Sequence, residues 1–230
     1  MTAETDPKAL PAAASFRLSM SGTGALLLDV AGETFSEDLQ DRVHALARAM
    51  LGVEGVAEAV PGMNNLLVTF DPLGVAPEAI EDALMEKWPA MAPDPLGGRT
   101  VEVPVRYGGA GGPDLAALAD HAGISAAEVV ERHASALYRV AAVGAMPGFV
   151  YLSGLDPKLA CSRRANPRGQ VPEGAVMIGG AQAGIMPVTA PSGWHVLGQT
   201  ATKLFDPFRD PPATFRPGDR IRFVAESVSS

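Results

Sequence analysis

Cysteine is almost missing from this chain of 230 residues. Cys161 stands alone, so no intrachain disulfide can form, which fits a reducing compartment and gives the cytoplasm as the expected location. Long apolar runs are missing as well. No stretch of about 18 apolar residues escapes interruption by charge, proline or glycine, and no membrane span is expected. The segment from Met1 to Leu18 lacks a basic start followed by an apolar run, so it does not read as a signal peptide. Basic excess is missing too. Lys and Arg number 18 against 26 Asp and Glu, for a net charge of −8. No basic field is therefore available to attract nucleic acid or anionic lipid. The chain has no Walker A sequence, no kinase signature set and no Gly-x-Ser-x-Gly elbow. Its four histidines, His44, His121, His133 and His195, lack metal-ligand spacing.

What is present is a 47% hydrophobic chain with 25 glycines and 20 prolines, the latter two concentrated after residue 90. Such a composition supports a packed core and, in the second half, a turn-rich β structure. Residues 1–13 read as loose. A strand is expected near Ala25–Val30. Ser36 then caps a helix over about 37–51, with Leu39, Val43, Leu46 and Met50 at helical spacing. Val56–Val60 and Leu66–Phe70 read as strands around a turn, and a second helix starts near Pro77 with Ile80, Leu84 and Trp88 on one face. This order predicts a small α+β sandwich close to a ferredoxin-like unit. The run Ala90–Gly98 breaks the pattern and marks a domain boundary, giving domains at 14–95 and 99–227. The second domain opens with the alternating strand Thr100–Val105. A short helix follows Pro113-Asp114, another follows the capping-box pattern Ser125-Ala126-Ala127-Glu128, and Tyr138–Val143 is a strand. Short apolar runs then alternate with Gly/Pro turns, among them Ala175–Ile178, His195–Leu197 and Arg220–Val224, the pattern of a barrel or sandwich.

Several co-linear motifs lie in this second half. Pro147-Gly148-Phe149-Val150-Tyr151-Leu152-Ser153-Gly154-Leu155 is followed by Arg163-Arg164-Ala165-Asn166-Pro167-Arg168. Then come Ile178-Gly179-Gly180-Ala181-Gln182 and Pro191-Ser192-Gly193-Trp194-His195-Val196-Leu197-Gly198-Gln199-Thr200. With Gly112-Pro113-Asp114-Leu115 and Val68-Thr69-Phe70-Asp71-Pro72 upstream, the chain resembles, over roughly residues 15–225, the family of 5-oxoprolinase B subunits, allophanate hydrolase subunit 1 and Kip-type kinase inhibitors. It departs from the usual pattern at Ala145-Met146, where a Gly-Phe-x-Pro-Gly-Phe form is common, and at Met186, Ser192 and Gln199. The resemblance implies a ferredoxin-like domain joined to a cyclophilin-like β-barrel. It also implies a composite enzyme, inactive as this chain alone, with a homologous partner of the 5-oxoprolinase C-type or allophanate hydrolase subunit 2 type. The implied reaction is ATP-dependent opening of 5-oxoproline to glutamate, with a third 5-oxoprolinase subunit and with Mg accompanying the ATP. The same family also contains the carboxyltransferase part of urea breakdown and inhibitors of sensor histidine kinases.

An amide-activating site must hold a planar amide, meet anionic oxygens with donors and exclude water. Arg163, Arg164 and Arg168 share a Pro-flanked segment and could clamp an anion; a solvated basic loop is the plainer alternative. Pro147, Gly148 and Phe149, with Ser192 and Gly193, could present backbone N–H donors or could simply make tight turns. Phe149, Tyr151 and Trp194 could wall a flat ligand or fill a core. His133 and His195, with Arg168, are the candidates for catalysis, against structural roles for each. The arginines near Cys161 could favour its thiolate, although no paired base accompanies it. The run Gly108–Gly112 lacks the Lys-Ser/Thr ending of a phosphate loop, so an ATP site would be unconventional or shared with a partner.

Overall fold

The computed structural model describes residues 16–93 and 97–229. The chain falls into two compact units, residues 1–94 and 95–230. The loose segment expected at 1–13 and the centre of the expected boundary, 94–96, lie outside the described residues.

In the first unit, strands β1 (Arg17–Met20), β2 (Ala25–Asp29), β3 (Val56–Pro61) and β4 (Asn65–Phe70) form one antiparallel sheet in the order β1-β2-β4-β3. Helices α1 (Glu37–Met50) and α2 (Pro77–Ala90) complete it. The path β2–α1–β3 with β4 inserted between its strands is the split βαβ arrangement of ferredoxin-like folds. The expected series is therefore present, and β1 is an addition: its sequence, RLSM, carries no clear alternation, and pairing with β2 holds it at the sheet edge. Ser36 caps α1 by accepting the Leu39 N–H at 3.3 Å. Pro77 opens α2, where a missing N–H costs nothing. Leu28, Val43, Leu46, Met50, Leu66, Val68, Ile80, Leu84 and Trp88 make the core. Arg42 lies over the Trp88 ring, 4.1 Å from its centroid, and donates to the Trp88 and Met91 carbonyls at the end of α2.

The second unit is a closed barrel of seven strands. They are β5 (Thr100–Gly108), β6 (Leu137–Val143), β7 (Val150–Ser153), β9 (Ala175–Gly179), β10 (Gln182–Ile185), β12 (His195–Gln199) and β13 (Arg220–Ser229). Around the barrel the order is β10-β7-β6-β13-β5-β12-β9. Neighbours are antiparallel except β13 and β5, which run parallel from Arg220 against Thr100 to Ser229 against Gly108. A separate antiparallel pair joins β8 (Arg168–Val171) to β11 (Ala190–Ser192). Helices α3 (Leu115–Ala122) and α4 (Ala126–Ser135) pack against each other; α3 meets β12 and α4 meets β13. Ser125 caps α4 through the Glu128 N–H, as the capping-box pattern predicts.

Every residue of β9 is buried because apolar material covers both its faces. Val176 and Ile178 join the barrel core. Ala175 and Met177 face a side cluster with Phe149, Val171, Met186, Trp194 and Val196. No helix among the described residues is long and apolar enough to cross a membrane.

Candidate functional site

The site is organised by a buried carboxylate. Asp114 precedes α3 but does not cap it with its side chain. Instead, Oδ2 accepts the Val196 N–H at 2.7 Å, and both oxygens accept the guanidinium of Arg168, at 2.6 and 2.7 Å. Arg164 Nη1 adds a third ionic contact at 3.2 Å. Burial opposes ionisation of Asp114, yet the Arg168 hydrogen bonds, the Val196 N–H and the two positive charges outweigh it, and its pKa is lowered. Arg168 is thus a clamp that fixes β8 to the start of α3, and both of its Nη atoms are engaged by the carboxylate.

Beside this network lies an open pocket of about 300 Å³. It is bounded by Ala117, Leu118 and His121 of α3, by the segment Cys161–Ala165 and by His195 at the start of β12. Of the residues singled out from the sequence, the structure brings Arg163, Arg164 and His195 together here. The Arg164 backbone N–H donates to the Gly193 carbonyl at 2.8 Å, which fixes the loop against the turn before Trp194. His195 Nε2 lies 2.9 Å from the Ser162 carbonyl. A carbonyl only accepts, so Nε2 carries the proton and a neutral His195 keeps its lone pair on Nδ1. Arg163 sits over the Trp194 ring, 5.6 Å from its centroid. Cys161 is a buried pocket-lining residue. Burial first, and the charge of Asp114 second, push its thiol pKa up, so the neighbouring arginines do not make it a thiolate.

The other sequence candidates lie elsewhere. Phe149, Tyr151 and Trp194 pack edge to face, with centroids 4.8 to 6.2 Å apart, and Phe149 and Trp194 are buried in the side cluster beside β9. A Cβ on Gly179 would come within 2.6 Å of the Trp194 ring, so that glycine makes room for the indole. Gly148, at φ 82°, follows the exposed Pro147 in the turn before β7 and packs under Leu204 and Phe205. Ser192 Oγ accepts the Trp194 N–H at 3.2 Å, and Gly193 serves Arg164 through its carbonyl. Ala145 has φ 65°.

His133 is wholly enclosed in the barrel core. Its Nδ1 is 2.7 Å from the Tyr107 hydroxyl, and its ring stacks on Phe223 at 4.6 Å. Desolvation pushes its pKa down to about 3. It lines none of the pocket and stays neutral at physiological pH. The run Gly108–Gly112 also has a packing explanation. Added Cβ atoms at Gly108 and Gly112 would collide with the Ser229 and Leu197 carbonyls, so these glycines allow the backbone to lie against β13 and β12. They do not form a phosphate cradle. No group of three His, Cys, Asp or Glu among the described residues is placed to hold a metal ion.

Sequence reasoning missed Asp114 and His121 as site residues. Asp114 was visible as a helix start and as part of the motif Gly112-Pro113-Asp114-Leu115, not as a site residue. Its partners lie 50, 54 and 82 positions away, beyond any local signal.

Comparison with known proteins agrees with this architecture. The family model for the carboxyltransferase domain, subdomain C and D, matches residues 16–215. A protein named as the B subunit of 5-oxoprolinase from Escherichia coli O157:H7 is 46% identical over 192 residues, covering 81% of this chain and 86% of that one. A protein of the same name from Bacillus subtilis is 33% identical over 222 residues, covering 91% and 92%. The crystal structure of TTHA0988 superposes with a TM-score of 0.75 at 36% identity, with 90% of this chain covered but only 40% of that longer one. The Kluyveromyces lactis urea amidolyase shares the fold, with a TM-score of 0.79 at 18% identity over 94% of this chain and 15% of that one.

Proposed function

Because the chain belongs to the family of carboxyltransferase domains of the subdomain C and D type, we propose that it is the B-type subunit of a 5-oxoprolinase, which opens the lactam of 5-oxoproline to glutamate at the expense of ATP. The likeness to bacterial proteins named as 5-oxoprolinase B subunits, across most of both chains, carries this reading. The subunit works with a homologous C-type partner and a third subunit in the cytoplasm, and is inactive alone.

A five-membered lactam is a resonance-stabilised amide, and ATP with Mg would supply the driving force by activating its oxygen. The glycine-rich run of this chain serves packing, so the nucleotide is assigned to a site shared with or held by a partner. What this chain contributes is the pocket. Guanidinium groups on one wall offer positive charge to an anionic substrate, and Ala117, Leu118 and Ala165 offer apolar contact to ring methylenes. His195 engages the Ser162 carbonyl through Nε2, which leaves Nδ1 as the ring nitrogen for proton transfer.

The test is glutamate formation from 5-oxoproline and ATP by this chain co-expressed with its two candidate partner subunits, each omitted in turn. Activity should require all three. Undiminished turnover without this chain, or robust turnover by this chain alone, would overturn the reading.

A further inference from the structure

The charges around the pocket do not cancel. Asp114 contributes one negative charge, while Arg164 and Arg168 contribute two positive ones. The division is unequal. Arg168 is bound bidentately, through both Nη atoms. Arg164 makes a single longer contact through Nη1, at 3.2 Å. Its Nε is shielded from solvent and has no hydrogen-bond partner among the described residues. A donor sealed from solvent is sealed from a ligand too, so what Arg164 can offer a ligand is the remainder of its partly exposed side chain. Of the two arginines held by Asp114, only Arg164 lines the pocket.

Size and surroundings narrow the ligand further. About 300 Å³ suits a small organic molecule. Its lining combines the apolar Ala117 and Leu118 with Arg164, His121 and His195. The residual charge of the Asp114 cluster is single, enough to balance one carboxylate.

From this arrangement we infer that the pocket is a subsite for the carboxylate of a small, otherwise apolar monoanion, and that Arg164 is the residue that grips it. Asp114 holds Arg164 from behind, while Arg168 neutralises Asp114. Arg163, exposed above Trp194, contributes field but no grip. The subsite deepens the functional reading above and rests on it for the identity of the ligand: the α-carboxylate of 5-oxoproline is the anion that fits.

Ligand-observed NMR by saturation transfer on the purified chain tests it. The probes are 5-oxoproline, its neutral carboxamide and inorganic phosphate at millimolar concentrations. The ring methylenes of 5-oxoproline should show transfer, and those of the carboxamide should not. Arg164→Gln should weaken binding at least about tenfold, the usual loss for a charge-assisted contact, whereas Arg164→Lys should recover part of it. In the assembled complex Arg164→Gln should raise KM far more than it lowers kcat. Absent transfer from 5-oxoproline, equal transfer from the carboxamide, or displacement of 5-oxoproline by substoichiometric phosphate would each overturn the subsite. If the complex fails to open 5-oxoproline but Arg164-dependent carboxylate binding persists, the subsite stands and the proposed reaction falls. If the complex turns over and Arg164→Gln leaves KM unchanged, the reaction stands and the subsite falls.

Discussion

Replacing Asp114 with asparagine should loosen the second unit while leaving the first intact. The carboxylate side chain is 5% exposed, and it holds two guanidinium groups and the Val196 N–H. Removing one partner of a buried ion pair costs about 3–5 kcal/mol. Here the side chains of Arg168 and Arg164 remain 28% and 32% exposed, so water recovers part of the loss. Asparagine also retains one oxygen for Val196. The expected cost is therefore about 2–3 kcal/mol. The assay uses the two tryptophans, one in each unit: Trp88 in the first core and Trp194 in the side cluster of the second. In a Trp88→Phe background, fluorescence reports Trp194 alone, and urea titration should show a lower midpoint with an unchanged slope. Arg168→Met should cost a similar amount, and adding it to Asp114→Asn should cost much less than the sum, because both changes break the same contact. A loss below about 1 kcal/mol for Asp114→Asn, or full additivity in the double variant, would refute the claim that this network holds α3, β8 and β12 together.

Two further outcomes concern the same unit. His133 falls from 6.5 when unfolded to about 3 when folded. Above pH 6.5 it is neutral in both states, while below that the unfolded chain takes up a proton that the folded chain refuses. Stability should then fall with pH by about 1.4 kcal/mol per unit, or about 2 kcal/mol from pH 6.5 to 5. Urea midpoints at those two pH values measure the fall, and His133→Phe should flatten it; an unchanged slope in that variant would assign the loss to other groups. Ala145 holds φ 65°, a region that costs a Cβ-bearing residue about 1–2 kcal/mol. Ala145→Gly should therefore stabilise the unit by about 0.5–1 kcal/mol after the added chain entropy of glycine is subtracted, a gain readable as a higher melting temperature.

The parts of this structure governed by near neighbours in sequence were legible. Ser36 and Ser125 announced the starts of α1 and α4, and the spacing of Leu39, Val43, Leu46 and Met50 gave the buried face of the first helix. The strands β3 to β6 appear within one to three residues of where their alternation places them. The edge strand β1 was not legible, because a partly exposed RLSM segment is a strand only by virtue of its neighbour β2. Barrel closure was legible only through the family resemblance, and the closed barrel bears it out; by themselves, short apolar runs between turns suit a sandwich as well as a barrel. The candidate site divided along the same line. Arg163, Arg164 and His195 could be named from residue type and motif. The carboxylate that organises them could not, since its contacts span at least fifty positions. Phe149 and Trp194 look alike in sequence whether they wall a ligand or fill the space beside β9, and here they fill it.

The seam of the barrel is made by its last strand. β13 lies between β6 and β5, antiparallel to one and parallel to the other. During synthesis, both of those strands leave the ribosome long before the segment that joins them. Until residues 220–229 emerge, β5 and β6 each present an unpaired edge, and Tyr138 lacks Phe223, against which it packs in the finished barrel. The second unit therefore cannot complete itself in step with translation, unlike the first, whose elements are all present within the first ninety residues. A chain that stopped short of β13 would be a template for edge pairing with its own copies, so this strand is the segment whose loss the second unit is least able to tolerate.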